Sequence, residues 1–223
     1  MRAVDRVQKI AAQRLDDRQL RIAILAEIGA LVRFDVFVWL VTDPDTCVGS
    51  APVANAPSMD DLPALIRLKY LASVNRWTSM QPNTPVSLVN ATNGDLSRSR
   101  MWNEVLRGYG VTDVASITFS DQFGCWGFLD LWRRGEQFSV DDMTLLHDIA
   151  APITVALRRS VASSFDLPST SSGDLRGPAV VLMSDDLELV TQTAETDAYL
   201  RALLPTPLDQ SPIPAAVYNV AAQ

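Results

Sequence analysis

Apolar positions along the chain recur at two spacings, three-and-four for helices and two for strands, and their order predicts the elements. Val4, Val7, Ala11 and Leu15 share one stripe, which predicts a first helix over Asp5–Leu15. Asp16, with Gln19 three residues on, is a capping start for a second helix. That helix carries Leu20, Ile24, Ile28 and Leu31 on one face, flanked by Leu25 and Val32, so it is apolar over a broad arc and mostly buried. Phe34–Thr42 is β-branched and aromatic and reads as a strand, Asp43-Pro44-Asp45 as a turn, and Thr46–Val53 as a weaker strand. Ser58, Asp61 and Pro63 open a helix whose stripe of Leu62, Ile66, Tyr70, Val74 and Trp77 runs to about Met80.

Pro85–Val89 is a short strand and Asn93-Gly94 a turn. Ser97 is placed to cap a helix from Arg98 to Leu106, with Met101, Trp102, Val105 and Leu106 inward, stopped by Gly108 and Gly110. Val111–Ser120 and Cys125–Arg133 read as a hairpin around Asp121-Gln122-Phe123-Gly124. Ser139 caps a long helix with Met143, Leu146, Ile149, Ala150, Ile153 and Leu157 inside and Pro152 as a source of a kink. Phe165–Gly177 is rich in Ser, Thr, Pro and Gly and reads as a linker. Beyond it, strands over Gly177–Met183 and Leu187–Thr191 flank a turn at Asp185-Asp186. A helix follows over Ala194–Leu204, then a loop over Pro205–Pro214 and the start of a helix at Ala215. Hairpin-type strand pairs with helices grouped between them predict an α+β fold, a central antiparallel sheet with helices on both faces. The expected division is a domain over 1–164, a linker over 165–176 and a ββα segment over 177–223. Charge steps at the same place: residues 1–165 are nearly balanced, while residues 166–223 hold two Lys+Arg against eight Asp+Glu.

Composition narrows the function. The 223 residues carry a formal charge of -7, with a pI near 4.7. That lacks the basic footprint of a domain that grips nucleic acid itself. Cys47 and Cys125 are the two cysteines, too few for a disulfide framework or a four-cysteine zinc site, and His147 is the one histidine. The N-terminus leads into no apolar signal region, and no apolar run approaches the ~20 residues of a bilayer span. With both thiols expected free, the expected setting is cytoplasmic.

Several segments carry a family resemblance. Cys125-Trp126-Gly127-Phe128-Leu129-Asp130-Leu131-Trp132-Arg133, with Phe138-Ser139, Asp142 and Leu145-Leu146, resembles the last strand and closing helix of a GAF domain. Trp102-Asn103-Glu104-Val105-Leu106, then Gly110-Val111 and Asp113, resembles the segment before it. Together they resemble the sensor half of actinobacterial LuxR-type transcriptional regulators. Val180-Val181-Leu182-Met183, Asp186-Leu187, Val190 and Pro214-Ala215-Ala216-Val217 resemble the opening of the PAS-like segment that follows in that group. The resemblance implies a GAF-like sheet, a signal-sensing role, and DNA contact only through a helix-turn-helix output domain missing from this chain. No cofactor and no catalytic residue are expected.

Candidate chemistry is sparse. Period two places Cys125, Gly127, Leu129 and Leu131 on one strand face and Trp126, Phe128, Asp130 and Trp132 on the other. Cys125 reads as a small buried filler rather than a reactive thiol. His147 sits at the edge of a helix face, without a partner that would make it a base. Asp141-Asp142 read as helix-dipole charges rather than metal ligands, and Arg133-Arg134 and Arg158-Arg159 as solvated pairs. No metal site is expected. The aromatic residues say more: Trp39, Tyr70, Trp77, Trp102 and Phe119 are the candidate lining of a ligand pocket between sheet and middle helices. The leading expectation is a non-catalytic sensor in which an unidentified small molecule or a protein signal biases a homodimer through helices 20–32 and 140–160. The alternatives are a small thiol-dependent reductase using Cys125 and Cys47, and a dimerisation module with a filled interior.

Overall fold

Antiparallel pairing dominates the computed structural model, which describes residues 3–13, 15–58, 61–164, 179–184 and 189–203. Five strands, β1 (Val36–Thr42), β2 (Gly49–Ala54), β3 (Val86–Ser87), β4 (Val111–Asp121) and β5 (Gly124–Arg134), form one sheet in the order β2-β1-β5-β4-β3. Every neighbouring pair is antiparallel. Helices α1 (Ala3–Ala11), α2 (Asp17–Gly29) and α5 (Val140–Ser164) cover one face, where Ile24, Ile28, Ile117, Leu129, Leu131 and Ile153 form a core. Helices α3 (Leu62–Tyr70) and α4 (Leu88–Ala91), with a 3-10 turn at Trp77–Ser79 and a π-helical turn at Trp102–Leu106, form the layer on the other face. A second core there gathers Val38, Leu40, Leu65, Ile66, Phe128 and Trp132. The fold is therefore α+β and compatible with a GAF-like architecture. A separate two-stranded sheet, β6 (Val181–Met183) with β7 (Leu189–Gln192), precedes α6 (Thr196–Leu203).

Local chemistry explains the boundaries. The Asp16 carboxylate accepts from the Gln19 N–H at 2.7 Å and starts α2. Ser139 and Asp142 cap α5 reciprocally: Ser139 Oγ accepts from the Asp142 N–H at 3.1 Å, and Asp142 accepts from the Ser139 N–H at 2.9 Å. Gly127 lets β1 and β5 close up, because a Cβ there would stand 2.7 Å from the Leu40 carbonyl oxygen. Gly124 holds φ +133° where the hairpin meets Pro44.

Four expectations need correction. The third helix stops at Tyr70 rather than Met80. Ser73, Val74 and Asn75 are weak helix formers, and Asn75 takes a left-handed φ of 52°, so Trp77 reaches the core from the 3-10 turn instead. Neither Ser58 nor Ser97 is a side-chain cap where expected. Asp61 precedes α3 without a cap bond, and Ser99 Oγ accepts from the Trp102 N–H at 3.2 Å. A bulge opposite Phe119/Ser120 shifts the register between Cys125 and Gly127. Cys125 therefore joins Phe128 and Trp132, while Trp126 joins Leu129 and Leu131. Arg133 is not solvated. It is buried, donates to the Arg33 and Gln137 carbonyls, pairs with Asp142 at 2.9 Å, and covers the Phe138 ring. The expected linker, the Asp185-Asp186 turn, the Pro205–Pro214 loop and the final helix lie outside the described residues.

Candidate polar cluster beneath the third helix

The strand alternation of β5 aims Phe128, Asp130 and Trp132 at the α3 layer, and the stripe of α3 aims Leu62, Leu65, Ile66 and Lys69 back at the sheet. Lys69 thus falls on an apolar stripe, directly over an acidic strand position. Its Nζ donates to Ser116 Oγ at 2.6 Å and lies 3.2 Å from Asp130 Oδ2, with both charged side chains nearly inaccessible. Trp77 Nε1 donates to Asp130 Oδ1 at 2.9 Å, so both carboxylate oxygens are engaged. Lys69 Nζ also stands 5.5 Å from the Trp77 ring centre, and Trp77 stacks on Phe128 at 5.1 Å. Burial pulls the Lys69 pKa below its ordinary value, and the neighbouring Asp130 opposes that shift.

This cluster borders a small internal void of about 10 Å³ enclosed by Val38, Leu65, Ile66, Lys69, Trp77, Met101, Asp130 and Trp132. Such a space holds about one water at most. Trp132 is fully buried, and its indole Nε1 has no hydrogen-bond partner. An unpaired buried donor costs roughly 1–3 kcal/mol. The buried ion pair is a second feature that an apolar core would not need for stability.

The five aromatic residues singled out from sequence do not meet in one place. Tyr70 and Trp77 stand together at 5.6 Å on the α3 side. Trp39 and Phe119 stack at 5.3 Å on the opposite face, within the α2–α5 core. Period two along β1 and β4 sends these two side chains away from α3. Trp102 is half-buried, donates to the Val111 carbonyl at 3.0 Å, and is covered by Arg107. Its neighbour Met101 reaches the void instead. Lys69, Ser116, Asp130 and Trp132 are candidates that the sequence reading did not single out. The legible signal was a lone lysine on an apolar helix stripe and an aspartate between buried aromatic positions of a strand.

The thiols do come together. Cys47, in the β1–β2 turn, hydrogen-bonds with Cys125, and burial followed by the neighbouring thiol pushes Cys47 up to about 11. The Cys125 carbonyl accepts from Thr42 Oγ1 at 2.6 Å. His147 is exposed. Asp113 is fully buried and accepts from Ser87 Oγ and the Val89, Val114 and Phe138 N–H groups, which makes it a structural bracket. Among the described residues no three His, Cys, Asp or Glu side chains gather as a metal site, and no helix is long and apolar enough to cross a membrane.

No family model matches the chain, and no curated protein matches it. Among solved structures, it is similar to the VqsR LBD domain from Pseudomonas aeruginosa, at 12% identity and a TM-score of 0.47. That similarity covers 72% of this chain and 94% of the other.

Proposed function

We propose that this chain is a non-catalytic sensor domain whose small-molecule ligand enters beneath α3 and is read by Lys69, Asp130, Trp77 and Trp132. The observation that carries the reading is the buried ion pair beside the unpartnered Trp132 indole, at the margin of an otherwise apolar space. A ligand with an apolar body and a hydrogen-bond acceptor satisfies that indole and leaves the apolar walls in contact. The void of about 10 Å³ describes a closed arrangement. Binding selects a form in which α3 and the 71–76 segment stand farther from the sheet, and the ligand's differential affinity for that form is the signal.

The motif resemblance to LuxR-type sensor halves supports an output through a helix-turn-helix domain, with residues 1–164 as the sensing unit and 177–223 as a PAS-like start. A homodimer is the proposed carrier. The apolar arcs of α2 and α5 are largely used against the sheet, but Ile22 and Leu31 remain 43% and 40% exposed. Of the sequence-derived lining residues, Tyr70 and Trp77 stay in the proposal. Trp39, Trp102 and Phe119 lie elsewhere.

A filled interior favours a second reading, an interaction module that binds no small molecule. Thiol-dependent reduction fits less well, since a thiol at about 11 holds little thiolate near neutral pH. Thermal melting against a fragment library separates the first two readings. Fragments that raise the melting temperature of the wild type should lose that effect in Trp132→Phe, which keeps the ring but removes the donor. Equal stabilisation of both proteins would refute the sensor site.

A further inference from the structure

The 71–76 segment joins α3 to the 3-10 turn at Trp77–Ser79. Together with residues 79–81 and Val86 of the edge strand β3 it encloses a groove of about 620 Å³. That volume lies within the range of small-molecule sites, roughly 300–1,000 Å³. Leu71, Ala72, Met80 and Val86 supply apolar wall. Asn75 and Arg76 supply donors. The Asn75 amide nitrogen and Arg76 Nε are both buried and without a hydrogen-bond partner, and among the described residues no carboxylate pairs with Arg76. Arg6, Arg21, Arg133 and Arg158, each buried or half-buried, all pair with a carboxylate. A half-buried, unmatched guanidinium in a chain of net charge -7 is therefore out of pattern.

We propose that this groove binds a small monocarboxylate with an apolar body, its carboxylate held by Arg76 and Asn75. A planar guanidinium matches a carboxylate in a two-point contact, and the adjacent amide adds a third donor. One cation balances one negative charge, which favours a monoanion over a phosphate dianion. The apolar wall takes the rest of the molecule. The site is distinct from the Lys69–Asp130 cluster and does not depend on it.

Calorimetric titration with sodium octanoate tests this, with octanamide and inorganic phosphate as comparison probes. Octanoate should bind saturably, and both comparison probes should bind at least about tenfold more weakly. Arg76→Gln should weaken octanoate by about tenfold or more. Asn75→Gly should also weaken it while preserving the left-handed backbone, so it carries the test if Arg76→Gln melts early. The proposal is overturned if octanoate shows no saturable binding up to about 10 mM. It is equally overturned if both folded variants bind like wild type, or if octanamide or phosphate matches octanoate.

Discussion

At the scale of single residues, the balance at Lys69 and Asp130 sets the sharpest expectation. Removing one partner strands the other charge in an apolar layer, whereas removing both leaves only altered packing. Lys69→Met should lower unfolding free energy by about 3–5 kcal/mol, and Lys69→Met with Asp130→Asn should recover part of that loss. Urea denaturation of the two variants measures it, and strictly additive losses would contradict the pairing. Asp142 gives the pH counterpart. Its burial favours the protonated form, but hydrogen bonds from Ser139 and Arg133 outweigh that and hold its pKa below 3.8. The folded state thus binds fewer protons than the unfolded chain, and the stabilisation, present above 3.8, is lost as pH falls through the lower folded value. Asp142→Asn should destabilise at neutral pH and converge toward wild type in strong acid. A constant gap across that range would refute the role.

At the scale of elements, the β1–β5 contact depends on Gly127. Gly127→Ala should cost about 1–3 kcal/mol, read as a lower denaturation midpoint, because the added Cβ meets backbone that cannot yield. An unchanged midpoint would mean that β1 can shift without loss. The strands and α2 and α5 were legible because their periods are strong and their caps conventional. Three features were not. The end of α3 is hidden because Val74 and Trp77 continue its stripe by coincidence, although the helix stops at Tyr70 ahead of the weak formers Ser73 and Val74 and the left-handed Asn75. The face of Cys125 is hidden because a bulge adds one residue without altering the strand's composition. Trp39 and Phe119 looked like pocket lining because aromatic content does not say which side of a sheet a residue occupies, whereas strand parity does. Parity along β5 does set Asp130 on one face with Phe128 and Trp132, and that face turns to α3.

At the scale of the whole molecule, the sheet separates two aromatic populations. Trp39 and Trp126 belong to the α5 side, and Trp77 and Trp132 to the α3 side. A sensor working through α3 must change the second pair first and then pass the change outward. If the signal travels through a second copy, sedimentation should show a dimer whose proportion rises with concentration, and a monomer at every concentration would remove that route. The indole N–H resonances of the five tryptophans, assigned by single Trp→Phe variants, probe the central claim directly. An apolar fragment bearing a carbonyl acceptor should shift the Trp132 and Trp77 indole signals while leaving Trp39 in place. A library in which no fragment moves either signal, or in which Trp39 moves equally, would contradict a ligand site beneath α3.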